Sequence, residues 1–189
     1  MISADSLRRA AAGFRGVVAM IGDDQWQLAT PCDGWTVRQL VGHVVSGCQM
    51  AAVLADGGDR QDAIAVLGVD HLGEQPLAAV DAALERQRVA FERPDVETQV
   101  FHHPAGDMPG AQLIQFRVSD LLVHRWDLAQ AIGVDDTLDP TLVQEVWDGL
   151  APMIPMMATT GVFGAGPSGS VADDASAQVR LLDAMGRRP

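Results

Sequence analysis

One long helix, predicted over residues 110–132, constrains this chain more than any other stretch. Gly133 follows it, and glycine readily adopts the left-handed backbone conformation that ends helices. Residues three and four apart share one face of a helix. One line of this helix therefore carries four polar side chains: Arg117, Asp120, His124 and Asp127. Apolar residues flank that line, and burying a carboxylate and an imidazole costs several kcal/mol unless something pairs them. A divalent cation between Asp120 and His124 would offset that cost.

The composition predicts one globular domain. Of 189 residues, 48% are hydrophobic and 20% are charged, which is typical of a chain that buries a core. The net charge of −12 argues against nucleic acids and anionic membranes as partners. Cys32 and Cys48 form no zinc-ribbon or CxxC pattern, and so few cysteines suit a reducing compartment. No signal peptide or membrane-spanning run is evident, so we expect a soluble, cytoplasmic protein.

Helical spacing, capping residues and helix breakers predict six further helical segments. They run over residues 5–21, from the N-cap Thr36 to about 55, over 62–67, from Pro76 to Pro94, from Pro140 to Pro152, and over 174–185. Residues 96–103 look extended, residues 104–110 are rich in turn formers, and residues 161–170 are predicted to form a glycine-rich loop. The pattern predicts an all-α fold: an antiparallel four-helix bundle with extra short helices, as a single domain over residues 1–189.

A metal centre is the main functional hypothesis. His43 is the only ionisable residue on the apolar face of the second predicted helix. Together with Asp120 and His124 it would supply nitrogen, oxygen and nitrogen ligands from two facing helices. Three protein ligands leave coordination positions open, as in catalytic rather than structural zinc sites. Two plainer interpretations stay open, because a lone buried histidine is often a hydrogen-bonded core residue and an Asp–His pair at i, i+4 is often only a surface pair.

Other polar residues have weaker claims. Arg117, one turn before the predicted carboxylate ligand, could bind an anionic substrate as a catalytic residue, or simply pair with that carboxylate. Asp127 could orient a ligand histidine or Arg38 from behind the ligands, or form a structural salt bridge. His102 and His103 precede a Pro-Gly loop and could border a site, although adjacent histidines in an exposed strand are usually solvated.

Two motifs together resemble those of a known family. Residues 30–43 read TPCDGWTVRQLVGH and residues 120–129 read DLLVHRWDLA. They are similar to the two signatures of the mycothiol-dependent maleylpyruvate isomerase-like proteins, actinobacterial members of the DinB-like metal-binding superfamily. The tail, residues 181–189 (LLDAMGRRP), extends the resemblance over essentially the whole chain.

The resemblance implies a four-helix bundle that holds a divalent metal, usually zinc, through His43, Asp120 and His124. It also implies that the open metal positions receive the sulfur of mycothiol, a low-molecular-weight thiol. A cation lowers the pKa of a bound thiol and presents the thiolate as nucleophile. The isomerase has glutamate where this chain has Asp120, which is one methylene shorter, and it carries a sizeable C-terminal domain that contributes to its active site.

Three functions follow as hypotheses. The first is a metal-dependent transferase or isomerase that uses mycothiol and a small electrophilic substrate. The second is a non-enzymatic metal-binding or regulatory module. The third is a metal-dependent hydrolase, which needs a general base such as His102 or His103. The sequence leaves the oligomeric state open.

Overall fold

The computed structural model describes residues 2–154, 166–172 and 174–189. Its elements in chain order are α1 (Ala4–Val18), α2 (Val37–Ala55), α3 (Arg60–Leu67), α4 (Pro76–Phe91), β1 (Val100–His103), β2 (Gly106–Pro109), α5 (Gly110–Ile132), α6 (Pro140–Leu150), a 3-10 turn (Ala151–Met153) and α7 (Ala177–Ala184). Residues 161–165 of the predicted glycine-rich loop lie outside the described residues.

Four of these helices form the predicted antiparallel four-helix bundle. Helices α1 and α2 each pack against both α4 and α5. The centre of the bundle contains fully buried apolar side chains such as Phe14, Leu40 and Leu121. Burying a side chain of this size contributes about 1.5–3 kcal/mol relative to leaving it exposed. The apolar core between α2 and α5 therefore holds in place the two helices that carry the predicted ligands.

The helix ends that position these ligands were predictable from local sequence. The Thr36 side chain accepts from the Gln39 backbone N–H, and the Gln39 side chain accepts from the Thr36 N–H, so a capping box starts α2 at the predicted N-cap. Helix α5 has the predicted bounds, and Gly133 ends it with a left-handed φ of 73°. Both helices thus begin or end where residue-level signals place them.

A small β-hairpin precedes α5. Strand β1 pairs antiparallel with β2, in a register that places Phe101 opposite Met108. Both side chains are buried, which explains why the strands pack against the bundle. The sequence predicted an extended segment over residues 96–103, of which only 100–103 form a strand because residues 96–99 form turns, and it placed residues 106–109 in a turn. Pro109 is both the last residue of β2 and the N-cap residue of α5. The hairpin therefore sets the direction in which α5 starts.

Helix α3 packs against α2, and the last two helices lie beside the bundle. Helices α6 and α7 pack against each other, and α6 also contacts α1 and α5. Helix α7 is shorter than predicted, because the Ser176 side chain accepts from the Val179 N–H and caps the helix there. Within the described residues no helix combines the length and apolar character needed to cross a membrane.

Candidate metal centre

The three predicted ligands meet in the structure. His43 comes from α2, and Asp120 and His124 come from α5, and their ligand atoms all lie within 4.8 Å of one another. His43 Nε2 is 3.3 Å from Asp120 Oδ1, and His124 Nε2 is 3.3 Å from the same oxygen. Two imidazoles from facing helices therefore converge on one carboxylate oxygen.

This spacing fits a divalent cation. Zinc–ligand bonds of about 2.0–2.2 Å place neighbouring ligand atoms of a tetrahedral site about 3.4 Å apart. The two separations from Asp120 Oδ1, each 3.3 Å, match that value, and the two histidine nitrogens lie within 4.8 Å of each other. Two imidazole nitrogens and one carboxylate oxygen are also ordinary zinc ligands, and three of them leave at least one position open.

Arg117 holds the other oxygen of the carboxylate. Its Nη1 donates to Asp120 Oδ2 at 2.9 Å, its Nε donates to Gln87 Oε1 at 2.8 Å, and its Nη2 contacts the Val44 carbonyl and Cys48 Sγ. The residue is only 4% exposed. Because protein groups occupy this guanidinium, its placement favours support of Asp120 over the predicted clamp on an anionic substrate. The catalytic role of Arg117 stays a prediction.

Gly47, on α2, makes room for this arginine. A Cβ at that position would lie 2.4 Å from Arg117 Nη1. That distance is far inside van der Waals contact, so any larger residue would push the guanidinium away from Asp120. The arginine and the glycine are therefore parts of one packing arrangement, which spacing along α5 alone does not reveal.

Opposite charges determine the protonation of the cluster. Burial alone would raise the pKa of Asp120, but Arg117 and His124 hold that pKa well below its usual range. Burial alone would lower the pKa of His124, whereas Asp120 and then Asp127 raise it well above its usual value. Asp120 is thus a carboxylate at neutral pH, and a proton on His124 Nε2 competes with a cation for the same position.

Asp127 contacts the far side of the His124 ring. Its Oδ2 lies 2.9 Å from His124 Nδ1, and its side chain is fully buried. A carboxylate that accepts the Nδ1–H leaves the Nε2 lone pair of the neutral ring facing the other two ligands, which is the tautomer that a metal needs. The alternative partner, Arg38, instead donates to the Gly73 carbonyl at 2.8 Å.

Two further residues contact Asp127, and the sequence analysis assigned neither to the site. Arg187 donates to both carboxylate oxygens, from Nη2 at 2.6 Å and from Nε at 3.0 Å. The Cys32 thiol donates to Oδ2 at 3.2 Å. Both residues lie in stretches that carry the family resemblance, which is the one signal that pointed to them. Helical spacing could not link them to α5, because they are 60 and 95 residues away from Asp127.

A cavity of about 1000 Å³ opens onto the three ligands. Its walls are largely apolar and include Trp35, Met50, Leu67, Leu113, Phe116 and Val123. The Trp35 ring centroid is 4.8 Å from that of His43, so this side chain borders the site. A mostly apolar cavity whose lining also includes polar groups is typical of small-molecule sites.

The adjacent residues His102 and His103 lie differently with respect to this cavity. His103 lines it and accepts the Ala105 backbone N–H at Nδ1, 3.0 Å away. Burial first, and then the charges of Arg117 and Arg60, lower the pKa of His103. His102 is exposed and pairs with an aspartate in the hairpin. Only His103 of this pair therefore borders the candidate site.

Comparison with known proteins places the chain in a family. The family model described as mycothiol maleylpyruvate isomerase N-terminal domain matches residues 7–129. The chain belongs to this family. The matched range contains His43, Asp120, His124 and Asp127, and it ends well before Arg187. Two uncharacterised proteins, from two strains of Mycobacterium tuberculosis, are each 33% identical to it over 142 residues, which cover 73% of this chain and 71% of each relative.

Solved structures confirm the fold. The crystal structure of the mycothiol-dependent maleylpyruvate isomerase superposes with a TM-score of 0.55 at 13% identity, over 66% of this chain and 58% of that one. A mutant of the same isomerase, with one histidine replaced by alanine, superposes with a TM-score of 0.64 at 15% identity, over 87% of this chain and 72% of that one. These likenesses show the DinB-like isomerase fold.

Proposed function

We propose that this protein holds one divalent metal ion, most often zinc in such sites, through His43, Asp120 and His124. We further propose that it uses the ion in a transfer or isomerisation that depends on mycothiol or a similar small thiol. The observation that carries the proposal is the convergence of both imidazoles on Asp120 Oδ1, each at 3.3 Å, in the wall of the large cavity. The name of the family, with its mycothiol and isomerase, supports the thiol and the reaction class.

The residues around the ligands prepare them for this role. When bound, a divalent cation lowers the pKa of a thiol and favours the nucleophilic thiolate. Arg117 keeps Asp120 ionised and holds its Oδ2, which leaves Oδ1 facing the two histidines. Asp127 accepts the His124 Nδ1–H and so directs the Nε2 lone pair towards the same point.

The cavity walls supply the second requirement, a place for an electrophilic substrate. Trp35, Met50 and Phe116 line the space next to the ligands. Apolar walls limit the water around the reacting groups, which strengthens the electrostatic interactions there. A small electrophile bound against these side chains would lie beside the open metal position.

Metal analysis tests the first part of the proposal. Purified protein should retain a stoichiometric divalent ion, and His43→Ala should lower zinc affinity strongly, because one of three ligands is lost. His102→Ala is the matched control, since His102 is exposed and lies outside the cavity. Equal zinc affinity in His43→Ala and wild type would overturn the ligand assignment.

A cobalt-substituted form tests the thiol. Mycothiol should shift the visible absorption of the cobalt protein and add a sulfur-to-cobalt charge-transfer band. If mycothiol leaves the spectrum of the cobalt-loaded protein unchanged, the protein is instead a metal-binding module. The hydrolase alternative is disfavoured, because His103 Nδ1 accepts a backbone N–H. The neutral ring then carries its proton on Nε2, which makes that nitrogen a donor and not a general base.

A further inference from the structure

Asp127 is the most enclosed acid next to the candidate metal centre, and its side chain has no exposed surface. It accepts from His124 Nδ1 at 2.9 Å, from the Cys32 thiol at 3.2 Å, and from two guanidinium nitrogens of Arg187 at 2.6 and 3.0 Å. A buried carboxylate requires such partners, because leaving its charge unpaired costs several kcal/mol. Arg187 is the only one of these three partners that carries a permanent positive charge.

We propose that Arg187 is a positioning residue for the metal centre. It acts through Asp127, which fixes the rotation and tautomer of His124, so Arg187 belongs to the metal site. The inference rests on the proposed metal and extends it to a residue outside the three ligands and outside the matched family range.

The geometry singles out Arg187 from the neighbouring arginine. Its side chain is only 11% exposed, and two of its nitrogens contact both oxygens of Asp127. Such two-pronged pairs hold the plane of a carboxylate as well as its position. Arg188 is 50% exposed and reaches Asp183 instead. The two residues are adjacent in sequence, yet only one of them contacts the group behind His124.

A second set of contacts fixes Arg187 itself. Its Nη1 donates to the Met185 carbonyl at 2.7 Å, and its Nη2 lies 3.1 Å from Cys32 Sγ. The guanidinium therefore joins the segment after α7, the turn before α2, and α5. Without it, the Asp127 carboxylate would lose the partner that sets its plane, and His124 would lose its fixed orientation towards the metal.

The test compares zinc affinity, measured by competition with a chelator of known affinity, in wild type and three variants. Arg187→Ala should bind zinc about 10–100-fold more weakly, the usual loss when a group behind a metal ligand is removed. Arg187→Lys should fall in between, because an ammonium cannot reproduce the two-pronged contact. Arg188→Ala, the matched control, should bind like wild type. Wild-type affinity in Arg187→Ala would overturn the inference.

Two further measurements separate positioning from general damage. The cobalt spectrum of Arg187→Ala should shift, since the orientation of one ligand changes, whereas that of Arg188→Ala should not. If Arg187 acts through Asp127, then Arg187→Ala should cost little additional affinity in an Asp127→Asn background. Fully additive losses would contradict the inference, and this comparison holds even if Arg187→Ala alone folds poorly. Wild-type protein that binds no zinc would overturn the proposed function itself, whereas unchanged affinity in Arg187→Ala would overturn the positioning role alone.

Discussion

Two arginines flank the candidate centre, and each holds one carboxylate beside His124. Arg117 pairs with Asp120 from one turn away on the same helix. Arg187 pairs with Asp127 from 60 residues further along the chain. The first pair holds a ligand, whereas the second holds the group behind a ligand. The comparison teaches that one kind of support, a largely buried guanidinium on a largely buried carboxylate, can be built from local helical spacing or from the tertiary fold.

The two arginines also differ in their enclosure. Arg117 lies among α2, α4 and α5, where Gly47 and Gln87 leave it a fitted space. Arg187 lies at the edge of the cavity and makes one of its hydrogen bonds within its own segment. We therefore expect Arg117 to contribute more to stability, and Arg187 to show its effect mainly in the metal affinity.

The largest expected effect comes from breaking the Arg117–Asp120 pair. Arg117→Met keeps an unbranched side chain but leaves the Asp120 carboxylate without its main cation. Removing one partner of a fully buried pair costs about 3–5 kcal/mol. Because the Asp120 side chain is 22% exposed, we expect a loss near the lower end of that range, which urea denaturation of the metal-free protein should show as a lower free energy of unfolding. Arg15→Met is the control, because Arg15 and its partner Asp81 are 43% and 48% exposed and such pairs contribute about 0–1 kcal/mol. Equal losses of unfolding free energy in Arg117→Met and Arg15→Met would mean that the enclosure of Arg117 adds nothing to the stability of the fold.

A second prediction tests the space around the Arg117 guanidinium, without changing its charge. Gly47→Ala adds a methyl group where the nearest guanidinium atom is 2.4 Å away, and overpacking of this kind costs about 1–3 kcal/mol. Zinc affinity should fall with it, because the displaced arginine no longer fixes Asp120. Gly42→Ala is the matched control on the same helix, since a Cβ there meets nothing within 4 Å. Alanine is about 1 kcal/mol more favourable than glycine in a helix, so this control should unfold at the same or a higher urea concentration.

A stable Gly47→Ala protein with unchanged zinc affinity would show that the guanidinium can move without loss. The arrangement between α2 and α5 would then tolerate more variation than its distances indicate. The fitted space around Arg117 would then have no effect on the metal centre. The contrast between the enclosed Arg117 and the peripheral Arg187 would disappear.

The same contrast marks what the sequence could predict. Helix α5, its end at Gly133 and the capping box before α2 follow from neighbouring residues, so the faces that carry His43 and His124 were predictable. Arg187 was not predictable as part of the site, since only the folded chain brings it to Asp127. Strand β2 was missed for a related reason. Its residues, GDMP, are mostly poor strand formers, and pairing with β1 determines their conformation.

A partly exposed arginine–carboxylate pair, Arg9 with Asp139, extends the comparison beyond the candidate centre. Arg9 and Asp139 have side chains that are 35% and 36% exposed. Asp139 also caps α6, because its Oδ1 accepts from the Thr141 and Leu142 N–H groups. Asp139→Asn keeps an acceptor for the cap and removes the charge, whereas Asp139→Ala removes both. We expect losses of about 0.2–1 kcal/mol for the first variant and about 1 kcal/mol more for the second.

The pH dependence of this pair has a definite sign. Partial burial alone would raise the pKa of Asp139, but the hydrogen bond from Arg9 and two backbone N–H groups hold it below the ordinary 3.8. A carboxylate whose pKa is lower in the folded state stabilises the fold above its unfolded pKa, and this contribution is lost as the pH falls through its folded pKa. The difference in unfolding free energy between wild type and Asp139→Asn should therefore be constant near neutral pH and shrink below pH 3.8. Urea titrations of both proteins across that range measure it. A difference that persists in acid would show that the amide disturbs the cap itself, and then the exposed pair would no longer serve as the lower reference for Arg117 and Arg187.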